Sequence, residues 1–383
     1  MDKKFVMGIA AMAALTLVSC SSDDLDSFSD NSSKNEAISF DGYLGRSAVA
    51  VNGTRGSVLD KPALQKLTDG AFGVFGNYSS TDGKTSVPDF FKNQPVTYKN
   101  SKWTYTPLKY WPTNGKIEFL AYAPYVNGTE LTAGSKINNF TVSETIADQT
   151  DLLWANATGS ISADLTSTKE KVNFHFYHAL SRLGYTVKLS GDYPSKDVTF
   201  TLKKITLAGS PTDATQGAFY TSGTIDLSKK NKKGDLWSNQ AGQQNFDWFS
   251  GDYIVDKSTE SHPDANREKD KDYLFVIPQN FSENIGTEEH PVENPDKLYV
   301  IVEYEVTYNS GTKTTIKNKV YKQIKKHFLQ GNAYMLNLTI GLPIEFDVDV
   351  TGSVDAGVEG WGTDENINIG SNDNSWDDFE HTK

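Results

Sequence analysis

The chain has one cysteine in 383 residues, so no disulfide within the chain and no cysteine-based metal cluster is possible. Six histidines, at positions 175, 178, 262, 290, 327 and 381, leave little material for a histidine-rich metal centre. Basic residues are outnumbered: 37 Lys and Arg against 49 Asp and Glu give a formal net charge of -12, which repels a phosphate backbone and argues against a nucleic-acid partner. Beyond the N-terminus no apolar run is long enough to span a membrane as a helix. No H-E-x-x-H, G-x-S-x-G or phosphate-cradling glycine loop occurs. Helical periodicity is scarce; only 59–67 and 178–183 offer about two turns each. Aromatics, by contrast, make up 12% of the chain, too many for a disordered polymer.

The first residues are an address. Lys3 and Lys4 precede a short apolar stretch over 5–18, followed by Leu17-Val18-Ser19-Cys20. This is a secretory signal peptide over 1–19 whose end resembles a bacterial lipobox, which leaves Cys20 as the first, acylated residue of the mature protein. The lone cysteine sits where that chemistry needs it. Ser21-Ser22-Asp23-Asp24 then opens a polar tether over 20–35 and resembles a surface-export signal.

From residue 36 onward, short alternating runs are broken by Gly, Asn, Asp and Pro. Such runs predict half-buried strands at 72–78, 103–106, 117–122, 151–155, 172–177, 184–189 and 198–207. Further strands are expected at 273–277, 298–308, 314–321, 334–340 and 344–350, with a hairpin turn at Tyr308-Asn309-Ser310-Gly311-Thr312. The class is mainly β, and without a fixed repeat the pattern favours sandwiches over a propeller. A polar stretch over 158–171 marks a boundary between an N-terminal domain, 36–165, and a C-terminal domain, 166–383. Residues 228–272 look like a charged, loop-like insertion, and the tail from 351 is acidic and Gly/Asn-rich.

Few residues stand out for chemistry. His175 and His178, three apart, fall on opposite faces of a strand and do not suit a shared metal. Asp347-Val348-Asp349-Val350-Thr351-Gly352 mimics the start of an EF-hand loop, but its twelfth position is Val358 and the alternation reads as strand. We expect no metal, no cofactor and no catalytic residues. In the aromatic group Phe246, Trp248, Phe249 and Tyr253, Trp248 and Phe249 are candidates for stacking on sugar rings, with packing against a sheet as the alternative. Arg46 and Arg55 lie in Gly/Ser/Thr-rich surroundings that suit protease cleavage.

Several segments in series resemble the fimbrillin family of Bacteroidetes: the lipobox, Gly53-Thr54-Arg55-Gly56, and Phe72-Gly73-Val74-Phe75. They continue with Trp103-Thr104-Tyr105 leading to Leu108-Lys109-Tyr110-Trp111-Pro112, then Ile117-Glu118-Phe119-Leu120-Ala121-Tyr122-Ala123-Pro124-Tyr125 and Asp151-Leu152-Leu153-Trp154-Ala155. The series ends with 172–183, Gly331-Asn332-Ala333-Tyr334-Met335-Leu336-Asn337-Leu338 and 344–352. The resemblance implies two tandem transthyretin-like Greek-key β-sandwiches, carried as a lipoprotein to the outer membrane. It implies removal of the N-terminal segment and its first strand by a trypsin-like, often Arg-directed protease, and polymerisation with other fimbrial subunits into an adhesive fimbrium by donor-strand exchange. On this scheme 37–44 suits the released strand, and cleavage follows Arg46 or Arg55. The donor is 344–354 or the tail near Asn366-Ile367-Asn368-Ile369. A shaft, tip or anchor position is open. A surface glycan-binding β-sandwich lipoprotein is the competing reading, and a hydrolase on a β-scaffold ranks last.

Overall fold

The computed structural model describes residues 37–43, 59, 61–160, 171–191, 193, 197–229, 236–263, 273–341, 346–352, 366–367 and 377–382. Nearly all of its regular structure is strand. The first part of the chain supplies β1 (Phe40–Tyr43), helix α1 (Lys61–Gln65), β2 (Phe72–Ser79), β3 (Ser86–Lys99), β4 (Lys102–Thr104), β5 (Lys116–Ala123) and β6 (Lys136–Thr141). β7 (Leu153–Ser160), β8 (Val172–His175) and β9 (Tyr177–His178) follow. An antiparallel sheet runs in the order β4-β3-β2-β5-β7-β9, and β1 lies parallel to β8 in a two-stranded sheet of its own.

Both faces of this sheet are covered, which is why β5 reads as a nearly continuous apolar run. Ile117, Phe119 and Ala121 of β5 join Phe72 and Val74 of β2 in one core, which also takes Ile38, Phe40, Val172, Phe174 and Phe176. The residues between them, Leu120 and Tyr122, with Phe75 and Trp154, pack on the other side against Ile225, Leu227, Leu236, Phe275 and Ile277. The two parts of the chain therefore share a core. They share a sheet too, since β6 pairs with β12 (Ser222–Asp226), which pairs with β13 (Trp237–Ala241). The first core also runs past the expected boundary at 165/166, because β8 belongs to it.

The second part is a two-sheet sandwich. One sheet orders β15-β10-β20-β21-β22, from β10 (Ser181–Leu189), β15 (Leu274–Val276), β20 (Ala333–Ile340), β21 (Phe346–Gly352) and β22 (Asn366–Ile367). The other orders β14-β11-β17-β18-β23, from β11 (Val198–Ala208), β14 (Phe246–Val255), β17 (Tyr299–Tyr308), β18 (Thr314–Gln323) and β23 (Asp377–Thr382). A small pair, β16 (Gln279–Asn280) with β19 (His327–Phe328), completes the set. In β17 the alternation works as expected: Val302, Tyr304 and Val306 are buried between the sheets, while Glu303 and Glu305 lie opposite Lys319 and Lys317 of β18. The β17–β18 connection is the expected hairpin, with Gly311 at φ +75°.

Two expectations change, and one strand goes unforeseen. Residues 178–183 form no helix: His178 pairs with Leu153 and Ser181 with Val276 as strand residues, and burial on both sides erases the period that tells helix from strand. The stretch 228–272 is not a loop-like insertion, since it contributes β13 and the core strand β14. β3, fourteen residues long, escapes the sequence pattern because Asp89 and Asn93 adopt positive φ (58° and 42°) and the β2–β3 register shifts twice, breaking the alternation. The EF-hand-like hexapeptide lies within β21, in the ladder with β20.

Candidate functional site: the seat of the first strand

β1 alternates as a half-buried strand should. Ile38 just before it and Phe40 within it are 1% and 2% exposed. The Phe40 ring lies 5.2 Å from Tyr105, 5.4 Å from Phe91, and 5.7 Å from both Phe119 and Phe174, centroid to centroid. Trp111 stands edge-on to Phe119 at 6.1 Å and closes the floor. On the outward side Asp41 meets Lys171 at 4.0 Å.

The main chain of this segment is held from two directions. On one side β8 runs parallel, placing Phe40 opposite Val172 and Tyr43 opposite His175, and the Val172 N–H donates to the Ser39 carbonyl at 2.9 Å. On the other, the Ile38 N–H donates to the Lys109 carbonyl at 2.8 Å, and Ala37 bridges to Tyr110. The Tyr105 hydroxyl donates to the Ile38 carbonyl at 2.7 Å. Burial pushes the Tyr105 phenol above its ordinary pKa, so it stays protonated and remains a donor. The segment Trp103 to Pro112, singled out in the sequence as a family-like motif, is thus one wall of the slot that holds β1.

What this arrangement does is physical rather than catalytic. It offers unpaired-if-vacated carbonyl and N–H groups on two sides, with an aromatic pocket between them for one large side chain. An extended segment with apolar residues two apart satisfies both at once.

Just downstream of the seat, sequence reasoning missed a buried pair. His178 Nδ1 meets Asp151 Oδ2 at 2.7 Å, with side-chain exposures of 5% and 0%. The same carboxylate oxygen accepts the Leu59 N–H at 3.2 Å. It resembles the base-and-orienter half of a catalytic triad, but it is spent on anchoring the chain ahead of α1. His175 instead stacks on Tyr177 at 4.9 Å, so the two histidines do not converge. Among the described residues no group of three or more His, Cys, Asp or Glu is placed to hold a metal ion.

Cys20, Arg46 and Arg55 lie outside the described residues. Trp248 is 6% exposed, in the core between the two sheets of the second part, with its ring 4.9 Å from Tyr185. Phe249 is half-buried against the same core. Packing, rather than an open stacking platform, is what the structure gives these two.

The fimbrillin-like family model matches residues 66–361. The chain is 25% identical over 403 aligned positions to fimbrium subunit Fim1C of Phocaeicola vulgatus, covering 94% of this chain and 97% of that protein. Its fold is similar to the crystal structure of a fimbrial protein from Bacteroides vulgatus, with a TM-score of 0.54 at 20% identity, over 85% of this chain and 99% of the other.

Proposed function

Because the chain belongs to the fimbrillin-like family, we propose that it is a structural, non-enzymatic subunit of a cell-surface fimbrium that joins other subunits by strand exchange and serves adhesion. On this reading it reaches the outer membrane as a lipoprotein acylated at Cys20. An Arg-directed protease cuts after Arg46 or Arg55, and β1 leaves with the lipid. A strand from a neighbouring subunit then takes the vacated seat. Because such a head-to-tail contact does not close on itself, it propagates as a filament.

The observation that carries this reading is the position of β1. It is upstream of both arginines, yet Ile38 and Phe40 are core residues. A cut at either arginine therefore severs a core strand from the body, and release of that strand leaves Phe91, Phe119 and Phe174 facing an empty slot. The competing reading, a glycan-binding lipoprotein using Trp248 and Phe249, loses support from the burial of Trp248.

The test is digestion of the unlipidated chain beginning at residue 20 with an Arg-specific protease, followed by mass spectrometry and size-exclusion chromatography. The expected result is a cut after Arg46 or Arg55, a folded body lacking β1, and a ladder of multimers. Resistance of both bonds, or a cut body that retains β1, overturns strand release; a strand-free body that stays monomeric overturns self-polymerisation.

A further inference from the structure

β1 is held between β8 and a wall that runs from Tyr105 to Trp111, and the two sides of that wall are used differently. Its inward side is closed. Trp111 is buried, and the Lys109 ammonium lies 5.3 and 5.6 Å from the ring centroids of Phe90 and Phe91. Its outward side is bare: Leu108 is 48% exposed and Tyr110 49%. A loose segment is not the cause, because both neighbours of Tyr110 are fixed. The Lys109 N–H donates to the Tyr105 hydroxyl at 3.3 Å, the Lys109 carbonyl accepts from the Ile38 N–H at 2.8 Å, and Trp111 stands edge-on to Phe119.

Register says what faces the exposed ring. Ala37 and Tyr110 form an antiparallel bridge. The bond from the Ile38 N–H to the Lys109 carbonyl flanks that bridge and makes it a non-hydrogen-bonded pair. In such a pair the Cα atoms are about 4.5 Å apart and the two side chains stand on the same face. The side chain that β1's segment offers to Tyr110 is therefore a single methyl group. The next outward residues add no apolar cover: Ser39 is exposed, and Asp41 meets Lys171 at 4.0 Å. The segment fills the inward pocket with Ile38 and Phe40 but leaves the apolar rim unused.

We propose that Tyr110 is a specificity-determining residue of the seat: an extended segment of another subunit that places a large apolar or aromatic side chain opposite it, where β1's segment has Ala37, is held more tightly than that segment. This rests on the reading of the seat as a site of strand exchange, and adds to it the side-chain chemistry of the incoming strand. Aromatic rings paired across strands with aromatic or β-branched residues stabilise a ladder relative to alanine, and the bare ring of Tyr110 supplies apolar surface to be covered. The preferred strand thus carries apolar residues at the first, second and fourth of four consecutive positions. The second and fourth fill the inward sites of Ile38 and Phe40, and the first, large one lies outward on Tyr110.

The pairing is tested first on the uncleaved chain beginning at residue 20. Ala37→Trp and Ala37→Ile are each expected to raise the urea midpoint at unchanged slope. The gain is expected to shrink in a Tyr110→Ala background, so that a double-mutant cycle shows favourable coupling between the two positions. The strand preference is then tested on the body separated from β1 after Arg-specific cleavage. Synthetic peptides spanning 36–44 with Ala, Ile or Trp at position 37 are titrated by calorimetry. The Ile and Trp peptides are expected to bind about threefold or more tighter than the Ala peptide, and this advantage is expected to disappear on the Tyr110→Ala body. Zero coupling in the cycle, or equal affinity of the three peptides for the parent body, overturns the proposal. Mass spectrometry of the cleaved body reports strand release separately: a body that keeps β1 overturns release, and the cycle on the uncleaved chain still decides whether Tyr110 reads the residue opposite it.

Discussion

Replacing Phe40 by alanine tests the seat from both sides of the proposed cut. The ring is 2% exposed and has four aromatic neighbours within 5.7 Å. Deleting a buried Phe side chain costs about 3–5 kcal/mol through lost transfer energy and an unfilled cavity. The edge-on contacts with Phe91 and Phe119, each contributing about 0.5–1.5 kcal/mol beyond burial, place this site in the upper part of that range. Set against a total domain stability of about 5–15 kcal/mol, the loss is large enough to move a urea midpoint well outside error at unchanged slope. The same substitution is then examined after Arg-specific cleavage. If β1 departs, Phe40 departs with it, and the variant and parent bodies unfold at the same urea concentration. A shift below about 1 kcal/mol in the uncleaved chain refutes the burial argument, because a seated Phe40 cannot be that cheap to remove. A difference that persists after cleavage refutes release, because it means the strand stayed.

Two further outcomes follow from the packing. Asp151→Ala removes the hydrogen-bond partner of buried His178 and the acceptor for the Leu59 N–H, and is expected to cost about 1–3 kcal/mol in denaturant unfolding and to speed proteolysis ahead of α1. Trp248→Ala empties a site between the two sheets and is expected to destabilise the second part by about 3–5 kcal/mol, seen as loss of near-ultraviolet dichroism on mild heating.

Strands that bury one face were the legible ones. The expected 298–308 and 198–207 differ from β17 and β11 only at their ends, because charged residues such as Glu303 and Glu305 fall between buried ones and write the period into the sequence. Where both faces are buried, as from His178 to Leu183, the period vanishes and helix and strand look alike. Where bulges intervene, it is scrambled. β14 carries exposed Ser250, Gly251 and Asp252 opposite register shifts in β11, and so reads as a polar loop although Phe246, Trp248 and Val255 are core.

The seat of β1 was half legible for a different reason. The alternation over 37–44 announces a strand, but its partner β8 begins at Val172 and its opposite wall at Tyr105, and nothing local encodes either distance. The Asp151–His178 pair and the Leu59 anchor share this property: each is made of residues far apart in the chain. The donor strand is harder still, and the geometry says why. The bonds that fix β1 to Lys109 and Val172 are main-chain bonds, which any extended segment other than proline supplies. Among the described side chains of this segment the inward positions are those of Ile38 and Phe40, where bulk and apolarity suffice. On the proposed strand exchange, a slot that asks for apolar residues spaced by two is met in sequence both by 344–354 and by the run at 366–369. On that proposal the choice between them rests on which segment leaves its own sheet: β21 is held in a ladder with β20 from Phe346 to Gly352, whereas among the described residues β22 makes two pairings.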